Sequence, residues 1–233
     1  MKNLQKMGGV AALFHAAAYL IGIVMYFAVL SPIIDATTEQ YVAQLADYQT
    51  TLTLWIFIAY WVSGFCLVVV ALALYERLKD GEPALMQLST VLGIIWAGLI
   101  IGSGNLMMHG FAQIAQLYAA NPAQAEIAAL TVGIVENGIV SANELIGGLW
   151  VLLLSWSAWR MGKLSKGLNY LGILIGVSGI LTMIPPIAEA TQTFFGLSMI
   201  VWFGWLGIVL WRNQLSTTTE NQNAFIPHHS ATN

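Results

Sequence analysis

"LWVLLLSWSAWRMGKLSKGLNYLGILIGVSGIL", residues Leu149–Leu181, decides the fold. Two apolar runs flank a short turn that carries Arg160, Lys163 and Lys166. A membrane-spanning helix needs about 20 mostly apolar residues. Each run belongs to a stretch of about that length, Ile139–Trp159 before the turn and Leu168–Ile187 after it. Four more stretches have the same character: Gly8–Leu30, Leu52–Tyr75, Leu88–Ile114 and Thr193–Trp211. Of 233 residues, 58% are apolar and 8% charged, against about 25% charged in soluble domains. A chain of this size still needs a wetted surface, so lipid must be the solvent for most of it. The expected fold is an all-α membrane protein with six transmembrane helices over residues 1–212 and a disordered cytoplasmic tail at 213–233. The first apolar run continues to Leu30, past the about 7–15 residues of a signal-peptide core, so it reads as a retained helix.

The basic residues orient the bundle. With six spans, Lys2, Lys6, Arg77, Lys79, Arg160, Lys163, Lys166 and Arg212 all fall on one side. The opposite loops hold Asp35, Glu39, Asp47, Glu126 and Glu189 and no basic residue. The positive-inside rule then puts both termini in the cytoplasm. A net charge of −3 leaves no basic face for nucleic acid. Trp156, Trp159 and Trp211 sit at cytoplasmic helix ends and Trp55 near an outer end, as interfacial anchors do. Trp96, Trp150, Trp202 and Trp205 lie deeper and read as packing residues.

Between the first two spans, "DATTEQYVAQLADYQ" repeats apolar or aromatic residues at helical spacing, at Tyr41, Val42, Leu45 and Tyr48. Thr37 followed by Gln40 has the form of a capping box. A short amphipathic helix in the first outer loop is expected. Gly98 and Gly102 are four apart, as are Gly172 and Gly176, with Gly179 following; this is helix-contact spacing in lipid. Pro185 and Pro186 break the chain at the outer end of the fifth span.

Two polar stripes stand out inside the apolar spans. On the fourth, Glu136, Asn143, Glu144 and Gly147 share about a third of the helical wheel. On the third, Asn105, His109, Gln113 and Gln116 share an arc of about 80°. Both stripes fall in the outer half of the membrane, on antiparallel neighbours joined by a short loop around "YAANPAQAE". A charge at the centre of a span costs about 2.5–3.5 kcal/mol on insertion scales. The stripes are therefore expected to face each other across a polar pocket lined by Asn105, His109, Gln113, Asn143 and Glu144, with Glu136 nearer the headgroups and Glu189 and Gln192 at the rim. The alternative is a set of hydrogen bonds that only hold two helices together. His15 lies in the inner half of the first span, roughly 20 Å in depth from His109, so it reads as a single packed histidine.

No His-Glu-x-x-His, Cys-x-x-Cys, phosphate loop or Gly-x-Ser-x-Gly occurs. Cys66, the only cysteine, rules out an intrachain disulfide. No cofactor and no metal site are expected.

"SPIIDATTEQYVAQLADYQ", followed by a span ending "VVVALALYERLKD", and later "WRMGKLSKGLNYLGILIGVSGIL", resemble the domain-of-unknown-function 4386 family of six-helix bacterial membrane proteins. The resemblance implies the six-helix layout and brings no reaction with it; the expected location is a bacterial inner membrane. Three functions stay open: binding or transport of a small solute or proton through the outer-half pocket, a membrane-embedded metal- or haem-dependent enzyme, and an accessory subunit of a membrane complex. The partners these imply are the lipid bilayer, a small-molecule ligand, and a membrane protein or a second copy of the chain.

Overall fold

The computed structural model describes residues 2–30 and 37–223, and they are helical with short connections. Helix α1 (Lys2–Met25) runs on as a π-helical turn, Tyr26–Leu30. The short α2 (Thr38–Asp47) follows. Helix α3 (Gln49–Leu78) is interrupted by a π-helical segment, Phe57–Val62. Then come α4 (Pro83–Ala120), α5 (Pro122–Met161), α6 (Lys166–Leu181), a 3₁₀ turn (Pro185–Ile187) and α7 (Ala188–Asn223).

Among the described residues, five helical stretches are long and apolar enough to cross a membrane: Asn3–Val29, Gln49–Leu78, Pro83–Ala120, Pro122–Met161 and Pro185–Arg212. Helix α6 is equally apolar but has 16 residues, about 24 Å at 1.5 Å per residue. The run that reads as one span through Ile187 is broken at Thr182 and restarts as the 3₁₀ turn at Pro185. The described tail begins as a continuation of the α7 backbone to Asn223; residues 224–233, which include His228 and His229, lie outside the described residues.

The long helices form a ring in which each packs on the next in the chain: α1 on α3, α3 on α4, α4 on α5, α5 on α6, α6 on α7, and α7 back on α1. The amphipathic α2 forms as its pattern predicts, with Thr37 and Gln40 completing the capping box. Its buried Val42 and Leu45 pack with Met107, Phe111 and Ile114 of α4 and Ala125 of α5. The loop expected around "YAANPAQAE" shrinks to Asn121 alone, whose side chain accepts from the Gln124 amide at 3.3 Å and starts α5. An Asn N-cap followed by Pro122 is enough to restart a helix at once.

Aromatic rings seated on glycines hold the centre. Trp96, Trp150, Trp202 and Phe203 are fully buried and mutually packed at ring separations of 5.1–6.3 Å. Any β-carbon on Gly147 would lie 2.6 Å from Trp96, and one on Gly93 2.6 Å from Trp150. Close α5–α6 approach rests on the same device. A β-carbon on Gly148 would sit 2.9 Å from the Gly176 carbonyl oxygen, and one on Gly179 2.6 Å from that of Glu144. The Gly172, Gly176 and Gly179 spacing is thus a helix contact, as expected. Gly98 and Gly102 differ: nothing lies within 4 Å of a β-carbon at either. They face away from the ring, so the contact expected there does not form within the chain.

The basic residues gather at one end. Arg160 pairs with Glu82 at 3.1 Å, Arg77 donates to the Lys163 carbonyl oxygen at 3.3 Å, and the Lys6 ammonium stands 5.4 Å from the Trp211 ring.

Candidate functional site

At the other end of the ring lies a cavity of about 450 Å³. It is walled by α1, α2, α3, α4, α5 and the start of α7. Three of the sequence-predicted polar residues line it, all from α5: Glu136, Asn143 and Glu144. Glu144 is 9% exposed and Glu136 half-buried. The two carboxyl groups are eight residues apart, about 12 Å along the helix, so the cavity has an upper and a lower acidic position.

Glu144, the lower one, bonds to the side chain of Gln192 and neighbours Thr182, whose hydroxyl also donates to the Gly179 carbonyl oxygen at 2.7 Å. Neither Gln192 nor Glu189, both expected at the rim, is among the residues that line the cavity. Tyr19 of α1 is close enough to interact electrostatically with Glu144, and Tyr60 of α3 with Glu136. Asn143 donates to the Ser103 hydroxyl at 3.1 Å, and its own carbonyl oxygen, Oδ1, is buried without a partner. On α2, burial and then the Glu136 charge push the Tyr41 phenol from 10.0 up to about 12.

The α4 stripe goes elsewhere. Asn105, His109 and Gln113 do not line the cavity; His109, Gln113 and Gln116 are exposed and Asn105 partly so. The face that α4 turns inward carries Ser103, Gly104, Met107, Gly110, Phe111 and Ile114, all buried. Residues 105 and 107 stand about 200° apart on the wheel. Close packing selects the small-residue side, because Gly110 admits Val132 and Gly104 admits Tyr60. The two polar stripes therefore do not face each other, and Asn143 meets Ser103 instead.

Much of the lining comes from residues that carry no polar signal. Tyr19, Gly22, Ile23 and Tyr26 of α1 share one wall, and Trp55, Ala59 and Tyr60 of α3 another. Tyr19, Gly22 and Tyr26 are three and four residues apart, a one-face spacing legible in the sequence. The α3 wall is not legible that way, because Ala59 and Tyr60 lie within the π-helical segment Phe57–Val62, which shifts the helical period. Trp55, expected as an interfacial anchor, is 7% exposed and lines the cavity, and its indole N–H has no acceptor. It turns inward, where it packs in one cluster with Val42 and Leu45 of α2.

Beneath the cavity, His15 is fully buried, with Nδ1 2.8 Å from the Ser63 hydroxyl and 3.0 Å from the Ser63 carbonyl oxygen. It is the single packed histidine that the depth argument gives. No group of three His, Cys, Asp or Glu residues spaced to hold a metal ion occurs among the described residues.

The family profile described as Domain of unknown function (DUF4386) matches residues 10–211. The chain belongs to this family. That span takes in part or all of every helix of the ring and every residue of the cavity, so the site lies wholly within the DUF4386 region. No curated protein and no solved structure matches the chain.

Proposed function

We propose that this DUF4386 chain is a six-span protein of the bacterial inner membrane, with both termini in the cytoplasm, that binds a small solute in the cavity and moves it or a proton across the bilayer. One observation carries the reading: a cavity of about 450 Å³ that holds two carboxyl groups among apolar helices. That volume falls within the about 300–1,000 Å³ of small-molecule sites. Ionisable groups inside spans mark solute or proton paths by default, since they are costly to keep there. The gathering of basic residues at the opposite end supports the orientation under the positive-inside rule. It also sets Glu144 about 24 Å from Arg160 along α5, toward the outer side.

Occlusion tests the reading. Gly22 and Gly196 line the cavity. A β-carbon on Gly22 makes ordinary contacts at 3.8 and 3.9 Å, and one on Gly196 meets open space. Gly22→Leu and Gly196→Leu should fold as the wild type does while filling the site. Small molecules that raise the melting temperature of the wild-type protein should lose that effect in both variants. Stabilising molecules that act equally on both variants would refute the cavity as the binding site.

A second reading, an accessory subunit or homo-oligomer, is favoured by the outward face of α4. Gly98, Gly102, His109 and Gln113 are exposed there with no neighbour in the chain for the glycines. Small and polar residues on one helix face are what helix pairs in lipid use. Disulfide cross-linking of Gly102→Cys in a Cys66→Ala background tests it; a monomer under all oxidising conditions would rule out self-pairing at this face.

A further inference from the structure

The lining of the cavity is chemically one-sided. It contains two carboxyl groups and an orphaned amide oxygen, Asn143 Oδ1, and no Lys, Arg or His. The described basic residues that make contacts stand at the opposite end of the bundle. No ion pair engages Glu136 or Glu144 among the described residues. The rest of the wall is apolar or aromatic, with Tyr19, Trp55, Tyr60, Trp96 and Phe111 among its rings.

These features call for one kind of occupant. A carboxylate in an apolar surround is stabilised by a cation that enters with it. Aromatic faces attract cations through their quadrupoles and accept hydrocarbon equally well. Asn143 Oδ1 is a buried acceptor without a donor, and such a group is costly until a donor reaches it. A quaternary ammonium has no N–H to offer; a protonated amine does. Trp55 is more than nine-tenths buried, lines the same space, and has an indole N–H with no acceptor among the described residues.

We propose that the cavity takes a hydrophobic protonated amine, with its ammonium group at Glu144 and its hydrocarbon body against Tyr19, Tyr60, Trp55 and Trp96. The proposal rests on the reading of the cavity as a solute site and names the class of solute. Glu136, about 12 Å higher on α5, sits toward the upper part of the cavity, beside Tyr60 and near α2, and attracts the cation before it reaches the lower position. An anion finds no donor charge anywhere in the lining.

Three probes of one shape test this on the purified full chain: 4-phenylbutylamine, 4-phenylbutanol and 4-phenylbutyrate, titrated by thermal shift. The amine should stabilise the wild type saturably, the alcohol should need at least tenfold more, and the acid should not stabilise it. Glu144→Gln should weaken the amine at least tenfold and leave the alcohol unchanged. Equal potency of amine and alcohol, or an amine response that Glu144→Gln leaves intact, would overturn the amine assignment while the solute site stands. If all three probes leave wild type unmoved, the solute-site reading falls with it. If Glu144→Gln does not fold, the amine-to-alcohol ratio on the wild type decides alone: tenfold or more supports the assignment, and parity overturns it.

Discussion

Gly179→Ala adds a single methyl group where α5 and α6 pack backbone to backbone. Its β-carbon would lie 2.6 Å from the Glu144 carbonyl oxygen, 2.8 Å from Gly148 Cα and 2.9 Å from a ring carbon of Phe195. Non-bonded carbon atoms rest at about 3.5–4.0 Å, so the helices must part by most of an ångström. Two of the three neighbours are backbone and cannot escape by rotation. Overpacking costs about 1–3 kcal/mol, and the rigid neighbours put this site in the upper half of that range. The gain in helix propensity from glycine to alanine, about 0.8–1.0 kcal/mol, opposes it. The net expectation is a loss of about 1–2 kcal/mol. Gly98→Ala provides the control, because its β-carbon meets nothing within 4 Å. Only the propensity gain applies there, so it should stabilise by about 0.5–1 kcal/mol. The two variants should differ by about 1.5–3 kcal/mol, roughly 12- to 150-fold in the unfolding equilibrium. Equilibrium unfolding in mixed micelles with a rising fraction of denaturing detergent reads this difference. Equal stability of the two variants would refute the close α5–α6 packing that sets the position of Glu144.

Three other outcomes follow from particular contacts. Thr37→Ala removes the side-chain half of the capping box at the start of α2 and should cost about 1 kcal/mol; amide exchange over Thr38–Asp47 should quicken while the ring helices stay protected. Ser63→Ala leaves His15 Nδ1 with the Ser63 carbonyl oxygen alone and should lower stability by about 0.5–1.5 kcal/mol in the same unfolding assay. The Tyr41 phenol is held near 12 against an ordinary 10.0, first by burial and then by Glu136. The folded chain therefore keeps a proton that the unfolded chain releases, and stability falls as pH rises from about 10 to about 12. Tyr41→Phe should flatten that part of the stability–pH curve, and an unchanged slope would contradict the placement of α2 over the cavity.

Hydrophobicity made the helices legible. Each of the six apolar stretches marks one helix of the ring, although Leu168–Ile187 runs past the end of α6, and the Thr37–Gln40 box marks where α2 begins. Length was less legible at two points. Asn121 and Pro122 together restart a helix within one residue, so α5 begins well before the span at Ile139. Pro185 and the turn before it end α6 early. In the candidate site, the α5 stripe could be read, because Glu136, Asn143 and Glu144 share the face that turns inward. The α4 stripe misled, since the cost of exposing polar groups to lipid argued that Asn105, His109 and Gln113 turn inward. Shape outweighed that cost: Gly104 and Gly110 fit Tyr60 and Val132, and the polar side turned out. The aromatic walls from α1 and α3 stayed hidden because an aromatic residue in an apolar helix looks the same in the core, against lipid, or over a cavity.

The proposal on which the rest depends is that the cavity lined by Glu136 and Glu144 of α5 and by the start of α7 opens to the outer side of the membrane. Gly196 lines it with room for a side chain, and Cys66 is the only native cysteine. The measurement is modification of Gly196→Cys, in a Cys66→Ala background, by a small membrane-impermeant cationic thiosulfonate added to intact cells. The account predicts rapid labelling from outside, slowed when 4-phenylbutylamine is present. Labelling only in inverted vesicles, or none from either side while the folded protein persists, would contradict it.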